Sequence, residues 1–560
     1  MKTLKLLNYA FDQWVPGEGN LAEISSAIDG SPVAITGSGG LDFGGMLRHA
    51  REVGGPALRK LTFHERARII KGLGLAIMAR KEQLYEFSYQ TGATRKDGWI
   101  DIEGGAGTLF SFSSKGRREL PDAHVLLDGP VEPLSKSGSF IGQHIYTPLQ
   151  GAAVHINAFN FPVWGMLEKL APTLLAGMPA IVKPASATAY LCEGAVRIMV
   201  ESGLLPPGSL QLIVGGVGDL FDHLTGQDVV SFTGSASTAL KLRTHSVVQR
   251  ESVKFVAEQD SLNASLLGPD AAPGTPEFDL FVKEVVNEMT VKAGQKCTAI
   301  RRAMAPAEHL DAVEAAIRDR LATTKVGDPR DKESRMGALV SIGQRDDVRA
   351  QIGKLTPAGA RIVAGNPDAT PGIAGGAFME PILLRSDDPW SNAAVHDVEV
   401  FGPVSTVMPY RDMADAIALA NRGMGSLALS LFTHSPDAAR EFIQSAAAYH
   451  GRMLVLNRDN AAESTGHGSP LPVLVHGGPG RAGGSEEMGG VRGVKHYMQR
   501  TALQSTPAMI AAITAQYIPG APKHPVDVHP FRRKMSELAI GDTLKTGSRT
   551  VSIEDIEHFA

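Results

Sequence analysis

Short apolar runs alternate along this chain with longer stretches whose apolar positions recur at helical spacing. Residues 154–156, 180–182, 212–214, 229–232 and 255–257 read as buried strands. Residues 166–176 and 190–201 lie between them and read as amphipathic helices. A second series predicts helices over 281–291, 311–323 and 413–422, with strands over 427–432 and 453–456. Strands alternating with helices in this way build parallel sheets from strand–helix–strand units. The pattern predicts an α/β protein with two domains, a first over 1–268 and a second over 269–485. Residues 511–530, punctuated by Pro519, Pro522, Pro525 and Pro530, read as a linker. Residues 531–560 resume with turn and strand character but are too few to bury a core alone.

Length and composition narrow the class. At 560 residues the chain exceeds one compact core, and 43% hydrophobic with 20% charged residues excludes disorder driven by low hydrophobicity. Fifty-five basic against 59 acidic residues leave a net charge of −4, which gives no support to nucleic-acid or anionic-membrane binding. Residues 1–14 lack the apolar run of a signal peptide, and no apolar stretch approaches the ~20 residues of a membrane span. Cys192 and Cys297, the two cysteines, form no disulfide framework and show no metal-ligand spacing. A cytoplasmic protein without a metal is expected.

Three segments carry candidate chemistry. Gly294-Gln295-Lys296-Cys297-Thr298 sets a cysteine among small and polar residues, as an exposed nucleophile requires, whereas Cys192 sits in an apolar helix and reads as structural. In Phe159-Asn160-Phe161-Pro162, after a strand and before a helix-opening proline, the Asn160 amide could donate to a developing oxyanion or simply form the turn. Thr233-Gly234-Ser235 joins a strand to a helix and offers backbone N–H groups to a phosphate. Glu258 ends a strand, where a partly buried carboxylate can act as a general base, and Lys183 ends another. His467 and His476 fall in a glycine-rich run with no metal spacing and read as loop residues.

Taken in order, these segments resemble the aldehyde dehydrogenase superfamily, joined by Glu399-Val400-Phe401-Gly402-Pro403-Val404 and by supporting pieces at 325–329 and 378–381. The resemblance spans roughly residues 4–504. It implies the superfamily's fold, with two Rossmann-like α/β domains and a small β oligomerisation element: a hairpin near 135–147 plus a strand within the return segment 486–510. It implies Cys297 as nucleophile, Glu258 as general base, and Asn160 with the Cys297 backbone N–H as oxyanion hole. Lys183, Ser186, Gly234, Ser235, Glu399 and Phe401 would contact an NAD(P) cofactor. Family members selective for NAD often have a glutamate where Ser186 stands, so Ser186 points to NADP, with NAD still accommodated. A homodimer or higher homo-oligomer is implied.

The chain also departs from the family pattern. Gln259-Asp260-Ser261-Leu262-Asn263 replaces the usual Leu-Gly-Gly after the glutamate, Ala239 stands where glycine is common, and the interval from Glu258 to Cys297 is long, with the surplus expected in 268–276. With 476–484 (His-Gly-Gly-Pro-Gly-Arg-Ala-Gly-Gly), these features resemble the branch that oxidises CoA-linked semialdehydes in bacterial aromatic-ring degradation. In the phenylacetate pathway that branch is fused to a hot-dog, hydratase-like module that opens an oxepin ring, and residues 531–560 resemble the start of that module. The benzoyl-CoA-pathway relative lacks the fusion. Glu258 argues against a CoA-acylating variant, because a thiol acceptor needs no water-activating base, and a chain ending at 560 argues against a hydratase-led activity.

Overall fold

A computed structural model describes residues 3–521. Among the described residues, the larger unit, 3–126 with 146–501, contains two seven-stranded sheets. In the first the order is Lys254–Glu258, Val229–Thr233, Ala153–Ile156, Ala180–Lys183, Leu210–Leu212, Leu7–Ala10 and Gln13–Pro16. Its first five strands are parallel, and the last two form an antiparallel edge. The strand expected at 212–214 is instead Leu210–Leu212. Gln211 hides it in the sequence: this buried amide is satisfied outside the sheet, donating to the Met46 carbonyl and accepting from Phe11 N–H. Val214 N–H meanwhile turns to the Asn8 side chain.

The second sheet runs Arg361–Ala364, Ile382–Arg385, Val404–Tyr410, Arg302–Pro306, Ala264–Leu267, Ser426–Phe432 and His450–Leu456. Only the Arg361–Ala364 edge is antiparallel. The strand Ala264–Leu267, assigned above to the first domain, lies near the centre of this second sheet, between Arg302–Pro306 and Ser426–Phe432. The chain therefore crosses between sheets at 259–263, not at 268. All four residues of that strand are buried, so its pattern matches a central strand of either sheet, and only pairing assigns it.

Helices Phe63–Ala79, Arg95–Glu119 and Pro162–Ala176 supply much of the core behind the first sheet. The first two begin with capping boxes, Thr62 with Glu65 and Thr94 with Asp97, which satisfy otherwise orphaned N–H groups. Helix Pro276–Thr290 follows the loop 268–275, where the surplus length was expected. No helix among the described residues is long and apolar enough to cross a membrane.

Among the described residues, the smaller unit comprises 127–145 and 502–521. Strands Leu126–Pro133 and Ile141–Pro148 form a hairpin extended by Met498–Ser505, and Ile141, Ile510 and Ile518 form its apolar centre. Residues 511–514, read above as linker, instead continue the helix Pro507–Thr514, started by the Thr506 cap and Pro507 in the first turn. The segment 531–560 lies outside the described residues.

Candidate active site

The loop carrying Cys297 is locked before the cysteine is reached. Helix Pro276–Thr290 ends, and Lys292, Ala293 and Gly294 follow with φ of 52°, 50° and 64°. Two non-glycine residues in the left-handed region are costly and persist only where surrounding contacts over-determine them. Those contacts are present. Lys292 N–H donates to Asp97, and its ammonium donates to Thr91. Arg301 donates to the carbonyls of Gly294, Lys296 and Gly402. A Cβ at Gly294 would stand 2.2 Å from the Gly402 carbonyl oxygen, so only glycine fits.

Asn263 completes the clamp. Its Nδ2 donates to the carbonyls of Cys297 (2.8 Å) and Ala299 (2.9 Å). Its Oδ1 accepts from Ser261 Oγ and from Ala428 N–H. The unusual residues after Glu258 are thus the support of the cysteine loop. His467 is buried and belongs to the same support, bridging the Thr298 carbonyl (2.9 Å) and Ser430 Oγ (2.8 Å).

Cys297, Glu258 and Asn160 line one small pocket with Asn157, Trp164 and Thr233. Asn160 is buried two residues before the helix Pro162–Ala176. Thr233 Oγ1 and both amide atoms of Asn157 are buried without a hydrogen-bond partner, so the pocket presents unsatisfied polar groups to a ligand beside the cysteine. Lys183 ends its strand, and burial lowers its ammonium pKa. Ser186 is exposed at the start of the turn Ser186–Thr188. Ser235 caps the helix Ala236–Arg243, whose first N–H donates to Asp260 (2.9 Å). Glu399 is pushed up to about 8 by burial, against the nearby Arg301 and with the help of Asp260. Phe401 meets Phe159 edge-on at 5.7 Å.

A residue read above as part of a loop stands against two of the pocket's lining residues, Glu258 and Cys297. His476 lies in the strand Val475–Gly478, directly opposite Glu487 on Ser485–Met488, and both side chains are buried. His476 Nε2 stands 2.7 Å from Glu258 Oε2 and 3.9 Å from Cys297 Sγ. The hairpin presses on the Glu258 strand through Gly483 (φ 118°), where a Cβ would fall 1.8 Å from the Ala257 carbonyl oxygen. Deeper still, the Lys169 ammonium pairs with Glu168 (2.7 Å) and Glu487 (3.0 Å).

The charges set one another. Burial alone would raise the Glu258 carboxyl, but His476 and then Lys169 outweigh it and hold it below its usual range. Burial would lower the His476 imidazole, and Glu258 reverses this, so it holds its proton more tightly than a free histidine. Burial and the Glu258 charge push the Cys297 thiol well above its ordinary value. Cys192 is fully buried, donates to the Pro162 carbonyl and has no part in the pocket.

A family model described as the aldehyde dehydrogenase family matches residues 14–502. The chain is 44% identical over 480 residues to the 3,4-dehydroadipyl-CoA semialdehyde dehydrogenase of Aromatoleum evansii, covering 85% of this chain and 93% of that one. It is 53% identical over 226 residues to Protein MaoC of Klebsiella aerogenes, covering 40% of this chain and 67% of that protein. Among solved structures, a point mutant of betaine aldehyde dehydrogenase from Staphylococcus aureus, in complex with NAD+, shares the fold with a TM-score of 0.78 at 22% identity, over 90% of this chain and 98% of that one.

Proposed function

This chain belongs to the aldehyde dehydrogenase family, and on that premise we propose that it oxidises a CoA-linked semialdehyde to the carboxylic acid in bacterial aromatic catabolism. The observation that carries the reading is the convergence of Cys297, Glu258 and Asn160 on one pocket. The 44% identity to a dehydrogenase of a CoA-linked semialdehyde supports the substrate class.

In this reading Cys297 Sγ attacks the aldehyde carbon, and the carbonyl electron pair moves onto oxygen. The Asn160 amide and the Cys297 backbone N–H donate to that oxyanion, each such donor being worth ~10²–10³ in rate. Oxidation of the resulting thiohemiacetal leaves a thioester on Cys297. Glu258 then takes a proton from water, which attacks the thioester and releases the acid. Lys183, Ser186, Gly234, Ser235, Glu399 and Phe401 would hold a nicotinamide dinucleotide, NADP in preference to NAD. The unpartnered Thr233 and Asn157 atoms fit a polar ligand there. When bound, the dinucleotide supplies the two-electron acceptor.

Two substrates fit this class. Residues 531–560 resemble the start of a ring-opening module, which favours the phenylacetate-route semialdehyde. The Aromatoleum relative favours the benzoate-route compound, 3,4-dehydroadipyl-CoA semialdehyde. Measuring kcat/KM for both CoA semialdehydes, and for the same aldehydes without CoA, tests the proposal. A preference of at least tenfold for either CoA thioester is expected, and equal turnover of the free aldehydes would overturn the CoA assignment. The homodimeric or higher assembly is proposed through the small sheet of Leu126–Pro133, Ile141–Pro148 and Met498–Ser505.

A further inference from the structure

The superfamily reading assigns roles to Cys297 and Glu258 and leaves His476 without one, yet His476 Nε2 lies close to both reacting groups. It stands 2.7 Å from the Glu258 carboxylate and 3.9 Å from the Cys297 sulfur. The imidazole is 2% exposed and meets the Trp164 ring edge-on at 5.6 Å, so packing fixes its plane. The opposite pairing of His476 and Glu487 in a short hairpin fixes its backbone. Such a histidine is not a bystander in electrostatic terms. A buried thiol beside a carboxylate resists ionisation, and a fixed imidazolium within hydrogen-bond reach of both is the counter-charge that lowers that resistance.

We propose that His476 is a positioning and charge-balancing residue of the reaction centre, holding the Glu258 carboxylate against Cys297 and sharing the charge of the thiolate. The proton leaving Sγ passes to solvent, the Glu258 carboxylate stays ionised, and the charge formed on sulfur faces the imidazolium. The groups facing His476 are Glu258, Glu168 and Glu487, which favour its protonated form, and Lys169 and Arg452, which oppose it. Glu258 makes the one direct ion pair and dominates. The active form of the cysteine therefore persists until His476 loses its proton. In a chain without the imidazolium, Cys297 is left beside an uncompensated carboxylate, and its thiolate forms only at higher pH.

The proposal rests on Cys297 being the reactive thiol but not on the identity of the aldehyde, so the test uses neither substrate nor cofactor. The rate of iodoacetamide alkylation at Cys297 is measured from pH 5 to 10 in the full chain carrying Cys192→Ala. His476→Gln keeps an N–H donor without a titrating charge, and His476→Phe keeps the ring against Trp164. Both variants are expected to alkylate at least tenfold more slowly at pH 7, with the midpoint displaced upward by a unit or more. Superimposable profiles in either folded variant would overturn the proposal. Loss of CoA-semialdehyde turnover with an unchanged alkylation profile would instead count against the mechanism above and not for this role of His476.

Discussion

Nδ2 of Asn263 lies 2.8 Å from the Cys297 carbonyl oxygen, so a residue of the segment 259–263, where the chain departs from the family pattern, directly holds the candidate nucleophile. Replacing Asn263 by Leu would remove the donor to two carbonyls, at Cys297 and Ala299. An unpaired buried polar group costs about 1–3 kcal/mol. Asn263→Leu is expected to lower Tm by several degrees and kcat at least tenfold, with a smaller change in KM. Thermal melts and steady-state kinetics check this, and a variant normal in both would show that the loop holds without the clamp.

The buried cation between Glu168 and Glu487 gives a second expectation with a definite sign. Lys169→Met leaves two carboxylates without their partner, and breaking a buried pair costs about 3–5 kcal/mol. Burial raises Glu168 to about 7, with Lys169 opposing and Glu487 reinforcing. A carboxyl raised in the folded state binds more protons folded than unfolded, so stability falls as pH rises through its folded value. Without Lys169 that dependence steepens. Urea denaturation of Lys169→Met should show stability rising from pH 8 to pH 6 more than in the parent, and Lys169→Met with Glu487→Gln should recover part of the loss. A flat pH dependence in the single variant would mean that water reaches the carboxylates.

Where the sequence was legible, burial had left an unambiguous pattern. The strands at Val229–Thr233 and Ser426–Phe432 are apolar along most of their length, and their helices carry clear periodicity. Leu210–Leu212 was blurred because Gln211 is buried and finds its partners in the helix Phe43–His49 and the turn at Phe11 rather than in the sheet. The cysteine loop was visible as a motif, but its clamp was not, since Asn263 acts through a fold that brings Ser426–Phe432 alongside Ala264–Leu267. His476 lies 179 residues from Cys297, and no spacing encodes a contact made by a hairpin pressing on another strand's end. One cue was present: adjacent Glu168 and Lys169 interrupt an otherwise apolar helix, and charges there must be paired.

Glu258→Gln separates acylation from deacylation. The amide cannot take a proton from water, so the thioester should accumulate after one turnover. A stoichiometric burst of reduced cofactor with a steady-state rate lowered at least 10²-fold is expected. Stopped-flow absorbance distinguishes this from loss of the burst itself, which would mean that Glu258 is needed to form the thiolate.

The proposed cofactor choice rests on one exposed side chain. Ser186 follows the strand that ends in Lys183 and opens the turn Ser186–Thr188. A carboxylate at that position would accept from both hydroxyls of an adenosine ribose and repel a 2′-phosphate. A serine hydroxyl can donate to the phosphate, and the Lys183 ammonium can pair with it. Burial lowers the Lys183 pKa, which keeps the ammonium weakly solvated and raises what it gains from an anion. The chain should therefore favour NADP. Ser186→Glu is expected to lower kcat/KM for NADP at least tenfold while leaving NAD within about threefold, since only the phosphate meets the new charge. Kinetics with both cofactors in both proteins read this directly. A parent enzyme that prefers NAD tenfold would remove Ser186 from the determinants of choice.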